Sequence, residues 1–175
     1  SKVDTVLCLG IFYHIMDHYM LLRKIAATSP EVIIMDSGFV RSFRNSIHIQ
    51  LEDPSKHLNT SSVYEGQQSE LVGFVSLGLM LQMSWNLGYR CHPMLWDPKV
   101  ISNPECVQDY MMGRRFTLRL DKMNRRSDND WQQNWKDVLI TLNKNFADLF
   151  NKATHDSVVD ARAKSSLSSS EFSVF

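Results

Sequence analysis

The feature that most constrains the fold is an apolar run near the start of the chain that ends at a glycine and leads directly to an aromatic residue and a histidine. The run is Val6–Leu9, the glycine is Gly10, and Tyr13 and His14 follow. Consecutive apolar residues without alternation are typical of a parallel strand covered on both faces. Because ligands bind beyond the carboxyl ends of strands in open α/β sheets, the run predicts a buried strand with Tyr13 and His14 at a binding edge.

The segments that follow complete a strand, helix and strand unit. Residues 17–27 carry apolar side chains at helical spacing, and Ser29–Pro30 ends this segment. Residues 32–35 form a second apolar run, and Asp36 closes it. The short connections predict that the two strands are parallel. Asp36 is then either a base at the same edge as His14 or a cap for the following loop.

The middle of the chain divides into a polar stretch and an apolar one. Residues 38–68 are typical of an insertion loop, with one alternating island at residues 47–51 that predicts a short strand exposed on one face. Residues 69–87 are apolar nearly all round and predict one long buried helix that ends at Gly88. This stretch is interrupted by polar residues and is short for a bilayer crossing, so no membrane contact is expected.

The remaining segments complete the predicted fold. Residues 90–96 and 115–120 are two further strands, expected to form a closing antiparallel hairpin at the sheet edge. Residues 1–122 therefore predict an α/β fold with a partial doubly wound sheet. Residues 128–152 predict an amphipathic helix docked on this domain, and the serine-rich tail over residues 153–175 is expected to be disordered. The apolar stripe of that helix consists of Trp131, Trp135, Val138, Leu139, Leu142, Phe146 and Leu149.

Composition excludes several classes of protein. Lysine plus arginine equals aspartate plus glutamate, 19 against 19, so no overall field draws the chain to nucleic acid or to anionic lipid. The apolar fraction of 43% is that of a globular chain rather than a disordered one. Cys8, Cys91 and Cys106 have no short spacing, which argues against a disulfide framework and against a zinc cluster. A reducing, cytoplasmic setting is expected.

The order of these segments resembles the C-terminal half of a Rossmann-like S-adenosylmethionine-dependent methyltransferase. DTVLCLGIFYH, residues 4–14, is similar to the fourth strand and following loop of that superfamily, in the branch that contains the tRNA wobble-uridine carboxymethyl-transferring enzymes. The later segments resemble the other elements in order, namely EVIIMDS the fifth strand, SELVGFVSLGLMLQMSWNLGY the next helix, RCHPMLWD the sixth strand and DYMMGRRFTLRL the closing antiparallel strand.

The resemblance implies methyl transfer from S-adenosylmethionine to a small molecule or an RNA base. By this resemblance Leu9 and Gly10 line the methionine end of the cofactor, Tyr13 contacts the transferring group or the acceptor, and Arg115 lies near the acceptor. The glycine-rich turn and the acidic ribose-binding residue of the family have no counterpart in this sequence. The chain by itself is therefore expected to bind the cofactor poorly and to be inactive.

Two residues are candidates for proton transfer in such a reaction. Methyl transfer depends mainly on positioning, because the sulfonium is already a good electrophile. Where the acceptor is an oxygen or nitrogen that carries a proton, His14 or Asp36 is expected to take it as a general base. Tyr13 and His14 also have a structural alternative, in which both close the core through hydrogen bonds to the backbone.

Two other functions stay open on the sequence. One is a non-catalytic interaction module that retains the methyltransferase scaffold. The other is a metal-dependent hydrolase that uses His14, His18 and Asp36, although Ile15 stands where a zinc protease needs its glutamate, so no metal is expected. The first strand, residues 6–9, is also expected to expose its edge and to support self-association of the chain.

Overall fold

The computed structural model describes residues 3–52, 69–95, 107–124, 127 and 129–142. The described strands are β1 (Thr5–Leu9), β2 (Val32–Gly38), β3 (Ile47–Glu52), β4 (Glu70–Val75), β5 (Tyr89–Met94) and β6 (Arg115–Lys122). The described helices are α1 (His18–Ala27), α2 (Leu77–Asn86), α3 (Gln108–Met111) and α4 (residues 129–142), and a 3-10 turn spans Phe12–His14.

A four-stranded mixed sheet in the order β1-β2-β6-β5 forms the centre of the fold, and β3 pairs with β4 in a separate antiparallel sheet. β1 and β2 are parallel, with Cys8 opposite Met35, which confirms the predicted strand, helix and strand unit. β6 runs antiparallel to both of its neighbours. The predicted antiparallel pairing of β5 with β6 is therefore confirmed. Of these two strands, β5 is at the edge of the sheet and β6 lies between β2 and β5.

α1 begins and ends where the sequence predicts. The Asp17 side chain accepts a hydrogen bond from the Met20 backbone amide at 3.2 Å, which caps the first turn. At the other end Thr28 is the cap residue, and Ser29 takes a φ of 57°. This left-handed residue reverses the chain so that it enters β2 at Val32.

One face of the four-stranded sheet packs against α1, α2 and α4, and on the other face Tyr110 of α3 covers Asp36 while β1 is exposed. Alternate strand residues such as Cys8, Met35 and Leu118 join a buried core with α1, α2 and α4. On the opposite face Leu7 and Leu9 are 63% and 56% exposed. The prediction that β1 is covered on both faces is therefore wrong for the described part of the chain. The mixed α/β class is confirmed.

Residues 69–87 form a strand and a helix instead of the predicted single helix. β4 pairs along its whole length with β3, the alternating island of the sequence, and Ser76 then begins α2. The Ser76 hydroxyl accepts a hydrogen bond from Leu79 N at 3.1 Å and donates one to Arg44 O at 2.6 Å. The prediction failed because a short apolar run fits either period, and pairing with β3 decides between them.

The predicted insertion, residues 38–68, is described only as far as the end of β3, and residues 53–68 lie outside the described residues.

None of the helices in the part of the chain that the structure describes has the length and apolar character needed to cross a bilayer. α2, the most apolar of them, spans ten residues. It lies against the core through Met80 and Leu81, both of which are buried.

α4 docks on the domain and covers the outer edge of β5. The Asn134 side chain is buried, accepts a hydrogen bond from Cys91 N at 3.3 Å and donates one to Cys91 O at 2.7 Å. Its amide thus takes the place of a neighbouring strand at this edge. Leu142 is fully buried in the core. The rest of the predicted helix, residues 143–152, and the tail, residues 153–175, lie outside the described residues.

β1, at the opposite edge, has no comparable cover among the described residues. Its five residues, TVLCL, include neither a charge nor a proline, the features that usually protect an edge strand.

We therefore expect the chain to self-associate through β1, and expect Leu7→Lys to weaken this association about tenfold or more. Sedimentation velocity over a concentration series measures it. Ile140→Lys, at an exposed position of α4, is the control, and a wild-type chain that stays monomeric throughout contradicts the prediction.

Cys8 and Cys91 are buried side chains without a disulfide. Burial raises the pKa of the Cys91 thiol to about 12 and also raises the pKa of the Cys8 thiol. Both thiols therefore stay protonated and behave as small apolar side chains. Cys106 lies outside the described residues.

Candidate functional site

The carboxyl ends of β1 and β2 meet at a turn that depends on Gly10. The Gly10 amide donates a hydrogen bond to the Asp36 carbonyl oxygen at 2.8 Å, so these two predicted site residues lie side by side. Gly10 has a φ of 72°, which strains residues that carry a side chain. A Cβ added at Gly10 would come within 3.2 Å of Arg115 Nη2. The missing side chain therefore lets the Arg115 guanidinium reach the end of β1.

The Asp36 carboxylate accepts hydrogen bonds from three side chains. Arg115 Nε donates to Oδ1, while the hydroxyl groups of Tyr110 and Thr117 donate to Oδ2 at 2.8 and 2.6 Å. Asp36 is buried and lies directly opposite Thr117 in the pairing of β2 with β6. The carboxylate is thus a buried anion that one cation and two hydroxyl groups compensate.

These contacts hold Arg115 as a fixed cation beside a neutral Tyr110. Burial raises the pKa of the Tyr110 phenol, and its hydrogen bond to Asp36 raises it further. Burial lowers the pKa of Arg115, but the contacts with Asp36 and Tyr110 together outweigh this effect and the net shift is upward. The Arg115 guanidinium also lies 6.0 Å from the centroid of the Tyr110 ring. Asp36 therefore anchors Arg115, and the geometry favours this role over that of a free base.

Tyr13 and His14 belong to the 3-10 turn that follows Gly10, and both take part in an aromatic stack. The Tyr13 ring stacks on Phe74 of β4, with the centroids 5.3 Å apart and the planes inclined by 11°. The centroids of the Tyr13 and His14 rings are 4.0 Å apart. Phe12, in the same turn, is fully buried and anchors it to the core. The hairpin of β3 and β4 therefore lies next to the 3-10 turn that follows β1.

The His14 imidazole approaches the acidic end of that hairpin. Its Nδ1 lies 3.8 Å from Glu52 Oε2, and the two side chains are 11% and 20% exposed. Neither ring nitrogen of His14 has a hydrogen-bond partner among the described residues. The described residues therefore give no support to the alternative in which a backbone hydrogen bond fixes the imidazole. Glu70 pairs directly with Glu52 across the hairpin and also has a buried carboxylate oxygen without a hydrogen bond in the described part of the chain.

His18 is separate from this group. It is buried, and its Nε2 lies 2.8 Å from the Gly73 carbonyl oxygen. Burial lowers the pKa of His18, so the ring is neutral, and because a carbonyl oxygen only accepts, Nε2 carries the proton. Among the residues that the structure describes, no three potential metal ligands are grouped for an ion. The geometry therefore gives no support to a metal site built from His14, His18 and Asp36.

Most of the predicted site residues lie at one end of the sheet. Those that lie at the ends of β1, β2 and β6 or on the adjoining turn are Gly10, Tyr13, His14, Asp36 and Arg115. Leu9 ends β1 on the same face as its pairing partner Asp36, and its side chain is 56% exposed. The residues that sequence reasoning missed are Glu52, Phe74, Tyr110 and Thr117. Of these four, only Thr117 could have been recognised from the sequence as a candidate site residue, because it is a small polar residue between apolar ones in β6.

Two groups of side chains therefore define the candidate site. The first is the anchored guanidinium of Arg115 next to Gly10, and the second is the aromatic stack of Tyr13 with its histidine neighbour. Both groups lie at or next to the carboxyl ends of β1 and β2. Comparisons of the chain with protein-family models, with curated proteins and with solved structures found no match.

Proposed function

We propose that the chain is part of a Rossmann-like S-adenosylmethionine-dependent methyltransferase that modifies a small molecule or an RNA base. The observation that carries the proposal is the corner of Gly10, Asp36 and Arg115 at the carboxyl ends of two adjacent parallel strands, where open α/β sheets bind ligands. The antiparallel course of β6 agrees with the closing strand that the sequence resemblance implies.

The residues at this corner fit the methionine end of S-adenosylmethionine. Gly10 presents backbone without a side chain, so a ligand can approach the end of β1 closely. The cofactor supplies an electrophilic methyl group when it is bound. Arg115, whose side chain is 27% exposed, keeps N–H groups beyond the one given to Asp36 and offers them to an anionic group of the acceptor.

Tyr13 and His14 then act on the acceptor. The Tyr13 ring, which Phe74 and the neighbouring His14 ring hold in place, contacts the acceptor. Because the Asp36 carboxylate is already bound by three donors, we assign the base for an oxygen or nitrogen acceptor to His14, whose ring nitrogens are buried and have no hydrogen-bond partner among the described residues. Positioning by these residues supplies most of the rate, since the electrophile needs no activation.

A second candidate function is a non-catalytic interaction module on the same scaffold. The exposed Leu7 and Leu9 side chains and the β1 edge, which none of the described residues covers, favour it, and the missing counterpart of the glycine-rich turn agrees with it. A reducing, cytoplasmic compartment suits both candidates, because Cys8 and Cys91 are buried without a disulfide.

Calorimetric titration with S-adenosylhomocysteine separates the two functions. We expect weak or no heat with this chain, measurable binding with the complete product of its natural gene, and about tenfold weaker binding when Gly10→Ala is introduced there, because the new Cβ crowds Arg115. Gly88→Ala is the matched control, since Gly88 also has a positive φ but lies between α2 and β5. If the complete product binds no S-adenosylhomocysteine, the methyltransferase proposal fails and the interaction module is favoured.

A further inference from the structure

We propose that Glu52 is a positioning residue that orients His14, with the Nδ1 proton of the imidazole directed at the Glu52 carboxylate and the Nε2 lone pair kept free to accept a proton. Only the use of that lone pair as a catalytic base rests on the proposed function. The orientation itself is a property of the chain that can be measured separately. Glu52 lies at the end of β3 in the region predicted to be an insertion loop, and the sequence gives it no role.

The first step is the position of the hairpin relative to the 3-10 turn. Phe74 of β4 stacks on Tyr13, and Tyr13 in turn contacts His14, so the turn and the hairpin are held in register by aromatic contacts. This register places His14 Nδ1 3.8 Å from Glu52 Oε2. Hydrogen bonds of catalytic groups are often long before substrate binds, so this separation is compatible with a base and its orienting carboxylate.

The second step is the charge balance around Glu52. Glu52 and Glu70 are directly opposite each other in the pairing of β3 with β4, and like charges in such positions are destabilising. Each also has a buried carboxylate oxygen without a hydrogen bond among the described residues. A ring N–H directed at Glu52 relieves part of this cost, because a buried carboxylate oxygen needs a donor.

The third step is the tautomer of the imidazole. A neutral imidazole has one N–H donor and one acceptor nitrogen, and the partner of one nitrogen decides the state of the other. Since a carboxylate faces Nδ1, the proton is favoured there. Nε2 is then the acceptor; it is buried and has no hydrogen-bond partner among the described residues. The same logic orients the histidine of hydrolytic triads through an acidic residue.

The state of His14 is measured by ¹⁵N NMR of the histidine-labelled chain at about pH 8, where an ordinary histidine is neutral. His14→Asn identifies its signals. We expect the wild-type imidazole to be mainly the Nδ1–H tautomer, and expect Glu52→Ala to lower the ratio of Nδ1–H to Nε2–H about tenfold or more. Gln50→Ala, on the same exposed strand, is the matched control and is expected to leave the ratio unchanged. Glu52→Asp is expected to restore part of it.

Two results overturn the inference. One is a wild-type His14 that is mainly the Nε2–H tautomer, and the other is a ratio that does not change in Glu52→Ala while the variant keeps the folded spectrum. These readouts need neither cofactor nor acceptor, so they stand apart from the methyltransferase proposal. If S-adenosylhomocysteine does not bind but the tautomer shifts as expected, the positioning of His14 holds and only its use in methyl transfer is lost.

Discussion

Gly78→Ala is expected to destabilise the fold by about 3 kcal/mol, although the same change in an exposed helix usually stabilises by about 1 kcal/mol. The reason is a close approach of two backbone segments. A Cβ at Gly78 would lie 2.2 Å from the backbone carbonyl oxygen of Phe43. Because this neighbour is a backbone atom, no side-chain rotation relieves the clash, and one of the two backbone segments must shift. The amide of Gly78 also donates a hydrogen bond to the Ser42 carbonyl oxygen at 3.0 Å, so a shift of the helix breaks that contact too.

The measurement is urea unfolding followed by tryptophan fluorescence. Trp85 of α2 lies 5.3 Å from Trp131 of α4 between ring centroids, so the signal reports the packing of the two helices. Gln82→Ala, a partly exposed position of α2, is the control and is expected to change stability by less than about 0.5 kcal/mol. An unfolding midpoint for Gly78→Ala at or above that of the wild type contradicts the close contact between α2 and the Phe43 segment.

Asn134→Asp is expected to destabilise the fold by about 3 kcal/mol or more at neutral pH. The substitution keeps the shape of the side chain but removes the donor to Cys91 O and places a carboxylate in a buried position. The loss of the donor leaves one backbone carbonyl of β5 unpaired. It also places the new negative charge beside that oxygen, where no described cation contacts it.

The pH dependence of this variant has a definite sign. Burial raises the pKa of a carboxyl group in the folded state above its unfolded value of about 3.9. The folded chain therefore binds the proton more tightly, and the destabilisation is largest above the raised folded-state pKa and disappears below about pH 4. Gln132→Glu, which adds a charge on the exposed side of α4, is the control and is expected to show little of this dependence. A variant that is equally destabilised at pH 4 and pH 7 contradicts a buried carboxylate at this position.

The candidate site was only partly predictable. The end of β1 at Gly10 and the end of β2 at Asp36 were expected to share one edge, because parallel neighbours in a strand, helix and strand unit end on the same side. Their hydrogen bond confirms this juxtaposition. The anchoring of Arg115 by Asp36 was not predictable, because it depends on the register of β2 with β6, which places Thr117 opposite Asp36 and Arg115 opposite Gly38.

The contact of Glu52 with His14 was even less accessible from sequence. Glu52 reaches His14 because β3 pairs with β4 in a hairpin. The sequence periodicity, however, predicts a helix where the structure has β4. A short apolar run such as the one in β4, which follows Glu70, fits a strand and a helix equally well, and only the available partner decides. The register of β3 with β4 then brings Phe74 onto the Tyr13 ring and Glu52 next to His14.

The sequence by itself determined the features that depend on neighbours along the chain. These are the apolar runs of β1 and β2, the Asp17 cap of α1 and the turn at Gly10, because each rests on local sterics and hydrogen bonds within a few residues. Only the tertiary structure decided which strand lies beside which, that Asn134 covers the β5 edge, and that Asp36 holds Arg115. Such contacts join residues far apart in the chain, and their selection depends on the packing of the whole core rather than on any local pattern.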